Sequence, residues 1–135
     1  MAANSYRNPN LLADMSRTLD HISNGRFILG IGSGWNQRDY EEYGYEFGTA
    51  ASRLRDFDRD MPIIADRLKK LNPPPIQNPL PILIGGGGEK VTLRIVAQHA
   101  TIWNGQGDPE ICAHKNQVLN EWCTKVGRDP IEIER

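Results

Sequence analysis

The chain is short of several things: cysteine and histidine, a net charge of either sign, and any apolar run near the ~20 residues a membrane span requires. The two cysteines, Cys112 and Cys123, fall on one expected helix. Eleven residues of helix separate them by ~16 Å, and a disulfide needs Cα atoms within ~7 Å. A reducing, cytoplasmic setting is therefore the simpler expectation. His21, His99 and His114 show no ligand spacing with one another or with the cysteines, so no metal site is expected. The formal net charge of −1, with both signs interspersed, gives no electrostatic reason to expect nucleic acid or an anionic membrane as partner. A small-molecule substrate is the expected partner, and association into a homo-oligomer stays open. The opening Met1-Ala2-Ala3-Asn4-Ser5-Tyr6-Arg7 contains no apolar signal region.

The 135 residues, 39% hydrophobic and 24% charged, suffice for one globular domain over 1–135. Asn8-Pro9 opens a first helix, with Asn8 as N-cap and Pro9 where its missing N–H costs nothing. Leu11, Leu12, Met15, Leu19 and Ile22 share its apolar face, and Gly25 stops it. Phe27 to Gly32 follows as an almost wholly apolar strand, which predicts burial on both faces of a parallel sheet. Ser33 to Thr49 is a long polar and aromatic loop with a helical turn near Arg38 to Glu42. A helix from Ser52 to Leu71 carries Pro62, which removes one backbone hydrogen bond and predicts a kink. Asn72-Pro73-Pro74-Pro75 is a stiff connector into a second strand, Ile82 to Gly85. A helix over Glu89–Ala97, a strand over Thr101–Asn104 and a helix capped by Asp108 and closed by Gly127 complete the pattern. About three parallel strands alternate with four helices, an α/β arrangement. Ile131 to Arg135 reads as the approach to another strand. Three strands leave apolar edges unpaired, so the expected architecture is part of a larger (β/α) structure.

In such folds ligands bind at the C-terminal ends of the strands. Here those ends are Gly32-Ser33-Gly34-Trp35, Gly85-Gly86-Gly87-Gly88 and Trp103-Asn104-Gly105-Gln106-Gly107. Glycines let backbone approach a ligand, and the helix after the tetraglycine offers free N–H groups, so a phosphate-bearing cofactor is the natural occupant. A flexible connection with no ligand is the bland alternative. Trp35 and Trp103 suit packing against a flat ring, though a lone tryptophan is more often a packing residue. Ser33 and Asn104 offer hydrogen bonds, while Ser33 also suits a turn cap. Lys90 could pair with a phosphate or be solvated. Asp39, Glu41 and Glu42 read as a solvated face, and His21 as a contact with the end of the first helix. No acid–base pair or nucleophile stands out and no catalytic residue is assigned, which fits redox chemistry supplied by a cofactor.

At these residues the chain resembles the bacterial luciferase-like oxidoreductases. The likeness runs through Tyr6-Arg7-Asn8-Pro9, the segment Ser23 to Trp35, Asp39 to Gly48, Pro81 to Gly86, Ala100 to Asn104, and Val126 to Pro130. Within that family it is similar to the branch using the deazaflavin coenzyme F-420 rather than to the light-emitting enzymes. The resemblance implies a partial TIM (β/α)8 barrel and a cofactor that is coenzyme F-420 or FMN. It implies hydride transfer, or a flavin-dependent monooxygenation. Gly86, Gly87 and Gly88 would contact the cofactor phosphate or ribityl chain, with Gly32, Ser33 and Gly34 beside them. Barrels of this kind run to about 250 residues, so the chain is expected to carry the middle of one, with Met1 an internal start. On that expectation it is inactive alone or completes a barrel with another chain. The alternative is a non-catalytic module for a phosphorylated ligand, or an inactive structural fragment.

Overall fold

A computed structural model describes all residues, 1–135. The order is β1 (Ala2–Ala3), a 3-10 turn (Asn4–Tyr6), α1 (Pro9–Ile22), β2 (Leu29–Gly32), α2 (Gln37–Tyr43) and α3 (Ala50–Lys70). It continues with β3 (Ile82–Gly85), α4 (Thr92–His99), β4 (Ile102–Asn104), α5 (Pro109–Val126) and a second 3-10 turn (Pro130–Glu132). The four strands form one parallel sheet in the order β1-β2-β3-β4. No helix is long and apolar enough to cross a membrane.

The α/β parallel architecture agrees with the sequence, but four strands and five α-helices replace three and four. The additional strand is β1, whose two alanines carry no β signal. It forms because Ala2 and Ala3 pair with Ile31 and Gly32, and because the buried Asn4 amide donates to Asp60 of α3 at 2.8 Å. At the other edge Glu134 bridges Ile102 in parallel, with Trp103 N–H to Glu134 O at 2.8 Å. The terminal segment thus approaches the sheet as its sequence predicts.

Burial corrects two expectations. The strands are covered on one face rather than two. Leu29, Ile31, Ile82, Ile84 and Trp103 are buried against α1, α3, α4 and α5 in one core, while Gly30, Gly32, Leu83 and Gly85 on the other face are half-buried. The second correction concerns α1. It turns Leu12, Ala13, Ser16 and Asp20 inward, and Leu11, Met15, Leu19 and Ile22 are exposed, Ile22 at 77%. Polar anchoring sets this rotation. Asp20, fully buried, accepts from the Gln77 N–H at 2.9 Å and from its side-chain amide at 2.7 Å.

Pro62 lies inside α3, which is one helix from Ala50 to Lys70. Asn8, Asp108 and Gly127 cap as expected: Asn8 accepts from the N–H groups of Asn10 and Leu11, and Asp108 accepts from that of Ile111. Gly127 closes α5 at φ +72°. Ile111, in the first turn of that helix, is exposed. His21 meets the Pro74 carbonyl at 2.8 Å, so it holds the proline connector rather than the end of its own helix.

Candidate functional site

A cavity of about 640 Å³ lies across the C-terminal ends of all four strands. Of the residues singled out from sequence, it gathers Gly32, Ser33, Gly34 and Trp35 after β2, Gly85, Gly86 and Gly87 after β3, and Asn104 from β4. Gly88 lies outside it. Trp103 is only 4% exposed and sits in the core beneath the rim, where its indole N–H donates to Gly86 O at 2.8 Å. It fixes the glycine turn from behind rather than offering a ring to a ligand. Trp35, by contrast, is 84% exposed on the cavity wall.

The glycine turn is built for backbone contact. Gly86 has φ +116°, a conformation open to glycine, and its N–H closes onto Asn104 O at 3.2 Å. The expected helix start at Glu89 is displaced: residues 89–91 form a turn and α4 begins at Thr92. As a result the N–H groups of Gly87, Gly88, Glu89 and Lys90 donate to no acceptor in the chain. Free donors in series at the entry to a helix match the oxygens of a phosphate, so these residues fit the phosphorylated cofactor that the sequence resemblance implies.

On the β2 side, Gly34 has φ +86°, and a Cβ there would overlap the Tyr40 hydroxyl. The Gly34 carbonyl accepts from Arg53 Nε at 3.1 Å, and the same guanidinium donates to Phe47 O at 3.0 Å while lying 3.8 Å over the Phe47 ring. The loop from Ser33 to Thr49 is therefore ordered by α3, with Tyr40 fully buried at its centre. The expected helical turn within it is α2.

Gln106, at the end of the third expected strand, also lines the cavity, whereas sequence reasoning missed Tyr6, Asn36 and Asp39, which line it too. Tyr6 stacks on Tyr45 with ring centroids 5.0 Å apart and tilts against Tyr40 at 5.0 Å. Burial, with Asp39 nearby, pushes the Tyr6 phenol above its usual value, so it stays protonated at neutral pH. Asp39 belongs to the rim rather than to a solvated face, and accepts from Asn36 Nδ2 at 2.8 Å. The clustering of Tyr40, Tyr43, Tyr45 and Phe47 was the available signal; the placement of Tyr6 beside them depends on β1. Lys90 is exposed and makes no ion pair.

Parallel strands, helices on one face and a cavity at the strand C-termini define part of a (β/α) barrel. Within that class the resemblance is to the luciferase-like family: residues 1–59 match the family described as luciferase-like monooxygenase. The chain is 28% identical over 108 residues to the uncharacterized protein Rv0953c of Mycobacterium tuberculosis, covering 70% of this chain and 38% of that protein. Over 36 residues it is 47% identical to the pyrimidine monooxygenase RutA of Serratia proteamaculans, covering 27% of this chain and 10% of the enzyme. Two solved structures share the fold. The coenzyme F420-dependent tetrahydromethanopterin reductase of Methanopyrus kandleri has a TM-score of 0.78 at 19% identity, over 98% of this chain and 46% of that one. DmoA of Hyphomicrobium sulfonivorans has a TM-score of 0.77 at 17% identity, over 98% and 37%. The chain thus spans less than half the length of these relatives.

Proposed function

We propose that the chain supplies the phosphate side of the cofactor site of a luciferase-like oxidoreductase that uses coenzyme F-420 or FMN. The observation that carries this reading is the run of unpaired N–H groups at Gly87–Lys90 beside a glycine-lined cavity. A bound deazaflavin or flavin would supply the redox chemistry, hydride transfer or monooxygenation. The protein's own contribution is positional. The amides of the glycine turn hold the phosphate, Trp103 locks Gly86, and Asn104 and Ser33 offer polar groups along the rim. Trp35 and Tyr6 supply aromatic surface along the cavity wall against which a ring could pack. Tyr6, whose phenol burial keeps protonated, and Asp39 are ionisable side chains on this rim.

A fluorescence titration of the purified chain with coenzyme F-420 and with FMN tests the reading. Saturable binding of one of them, coupled to substrate-dependent reduction in the assembled enzyme, is the expected result. Absence of binding to both overturns it, and binding without turnover would leave only a phosphate-ligand module.

A further inference from the structure

Lys115 stands on α5, one helix beyond the glycine turn, yet its side chain returns to that turn. A Cβ built on Gly87 would lie 3.7 Å from Lys115 Cε, an ordinary van der Waals contact. The Lys115 side chain is 22% exposed, and its ammonium pairs with Glu89 Oε1 at 2.5 Å. Glu89 follows the four glycines directly, and His114 reaches the same carboxylate oxygen at 3.1 Å. Its backbone is fixed as well: the Trp122 indole N–H donates to Glu89 O at 2.7 Å.

This arrangement needs explaining. An acidic side chain beside a row of free N–H groups repels the anion those groups suit. The Lys115 ammonium offsets that charge, and hydrogen bonds from Lys115 and His114 hold the Glu89 carboxyl below its usual range. Lys115 is also the cation stationed against Gly87, whereas Lys90, adjacent in sequence, is exposed.

We propose that Lys115 is a further phosphate-binding residue of this site, kept at the glycine turn by Glu89. The inference rests on the cofactor reading above. When phosphate occupies the turn, the ammonium supplies the charged donor that neutral amides lack. His114 remains as a partner for Glu89, so the carboxylate is not left unpaired while Lys115 serves the phosphate. A lysine stem four carbons long, already lying along Gly87, needs only a change at its terminal torsions. The ligand feature recognised is a phosphomonoester or phosphodiester, not the ring.

The test compares each phosphorylated ligand with its phosphate-free counterpart, FMN and riboflavin being the pair that differs in phosphate alone. The full chain and its Lys115→Met and Lys115→Arg variants are titrated with FMN against riboflavin, and with coenzyme F-420 against its dephosphorylated deazaflavin alcohol. Lys115→Met should weaken binding of the phosphorylated member by about tenfold, the scale of one charge-assisted hydrogen bond, and leave the dephosphorylated member unchanged. Lys115→Arg should retain most of the phosphate preference, and should remain folded because the cation beside Glu89 is kept. Equal losses on both members of a pair, or no loss on either, overturn the role of Lys115 while leaving the cofactor reading intact. If the unaltered chain binds none of the four, the cofactor reading fails and this inference fails with it.

Discussion

The two ends of the sheet are built from opposite materials. The C-terminal rim surrounds its cavity with Gly32, Gly34, Gly85, Gly86 and Gly87. A second cavity, about 450 Å³, lies at the N-terminal end and is bordered by Pro74, Pro75, Pro79, Leu80 and Ile82. Glycine frees backbone N–H groups for a ligand; proline has none to offer. At the proline end the connector is tied down by α1: Arg17 donates to Pro73 O at 3.2 Å, His21 bonds Pro74 O, and Gln77 binds the buried Asp20. Gln77 also donates to Phe27 O at 2.7 Å. Apart from the buried Arg17 Nε, which has no partner, these donors are paired at the proline end, whereas the N–H groups of Gly87 to Lys90 are left available at the other. The difference separates the end that secures the fold from the end that suits a ligand.

Substitutions can break that contrast. Asp20→Ala should have the largest effect, because it leaves both Gln77 donors without their carboxylate in a buried site, a loss of about 3 kcal/mol. Thermal unfolding should show it as a lowered Tm, with cofactor affinity of the folded fraction unchanged; an unchanged Tm would mean that the proline end is not the anchor. Gly34→Ala comes next. A side chain at positive φ against the Tyr40 hydroxyl should cost about 2 kcal/mol, and it should also disturb the rim, so stability and cofactor binding fall together.

Gly87→Phe sharpens the comparison from the other side. Its Cβ position is open apart from Lys115, so the Tm should stay within measurement error while cofactor affinity drops about tenfold or more through lost amide contact. A fall in stability without loss of binding would count against the turn as the site. The smallest effect is acid sensitivity. Burial alone would raise the Asp20 carboxyl, but the hydrogen bonds from Gln77 outweigh it and hold it below its usual value. Asp14 is lowered by its paired hydrogen bonds from Arg67. Depressed folded-state values mean that this stabilisation is fully present above the ordinary carboxylate range and is lost as pH falls through the folded values. Melts from neutral pH down to about pH 3 should therefore show Tm falling only below about pH 4, and Asp20→Asn should flatten that fall.

Local signals made much of the fold legible. The caps at Asn8, Asp108 and Gly127 depend on neighbours in sequence, and so does the strand Ile82 to Gly85. What escaped depends on distant residues. Nothing in Ala2-Ala3 announces a strand, since its position is set by Asn4 reaching Asp60, 56 residues away. The more apolar face of α1 is not the buried one, because Asp20 turns toward Gln77. The same division holds at the site. The glycines and Ser33, Trp35 and Asn104 could be read from their place after each strand. Tyr6 and Asp39 came to the rim through packing of the aromatic loop. The Trp103 indole was assigned to the rim because its sequence position gives the strand end, whereas the alternation along β4 turns it into the core.

The distribution of the three tryptophans also has an optical consequence. Trp103 is enclosed and Trp122 half-buried, each with its indole N–H bonded to a carbonyl, whereas Trp35 stands in solvent on the cavity wall. Its emission should be the most red-shifted of the three and the first to be quenched by an absorbing ring entering the cavity. The protein thus carries its own reporter, and occupancy can be followed at the red edge of its intrinsic fluorescence without a label.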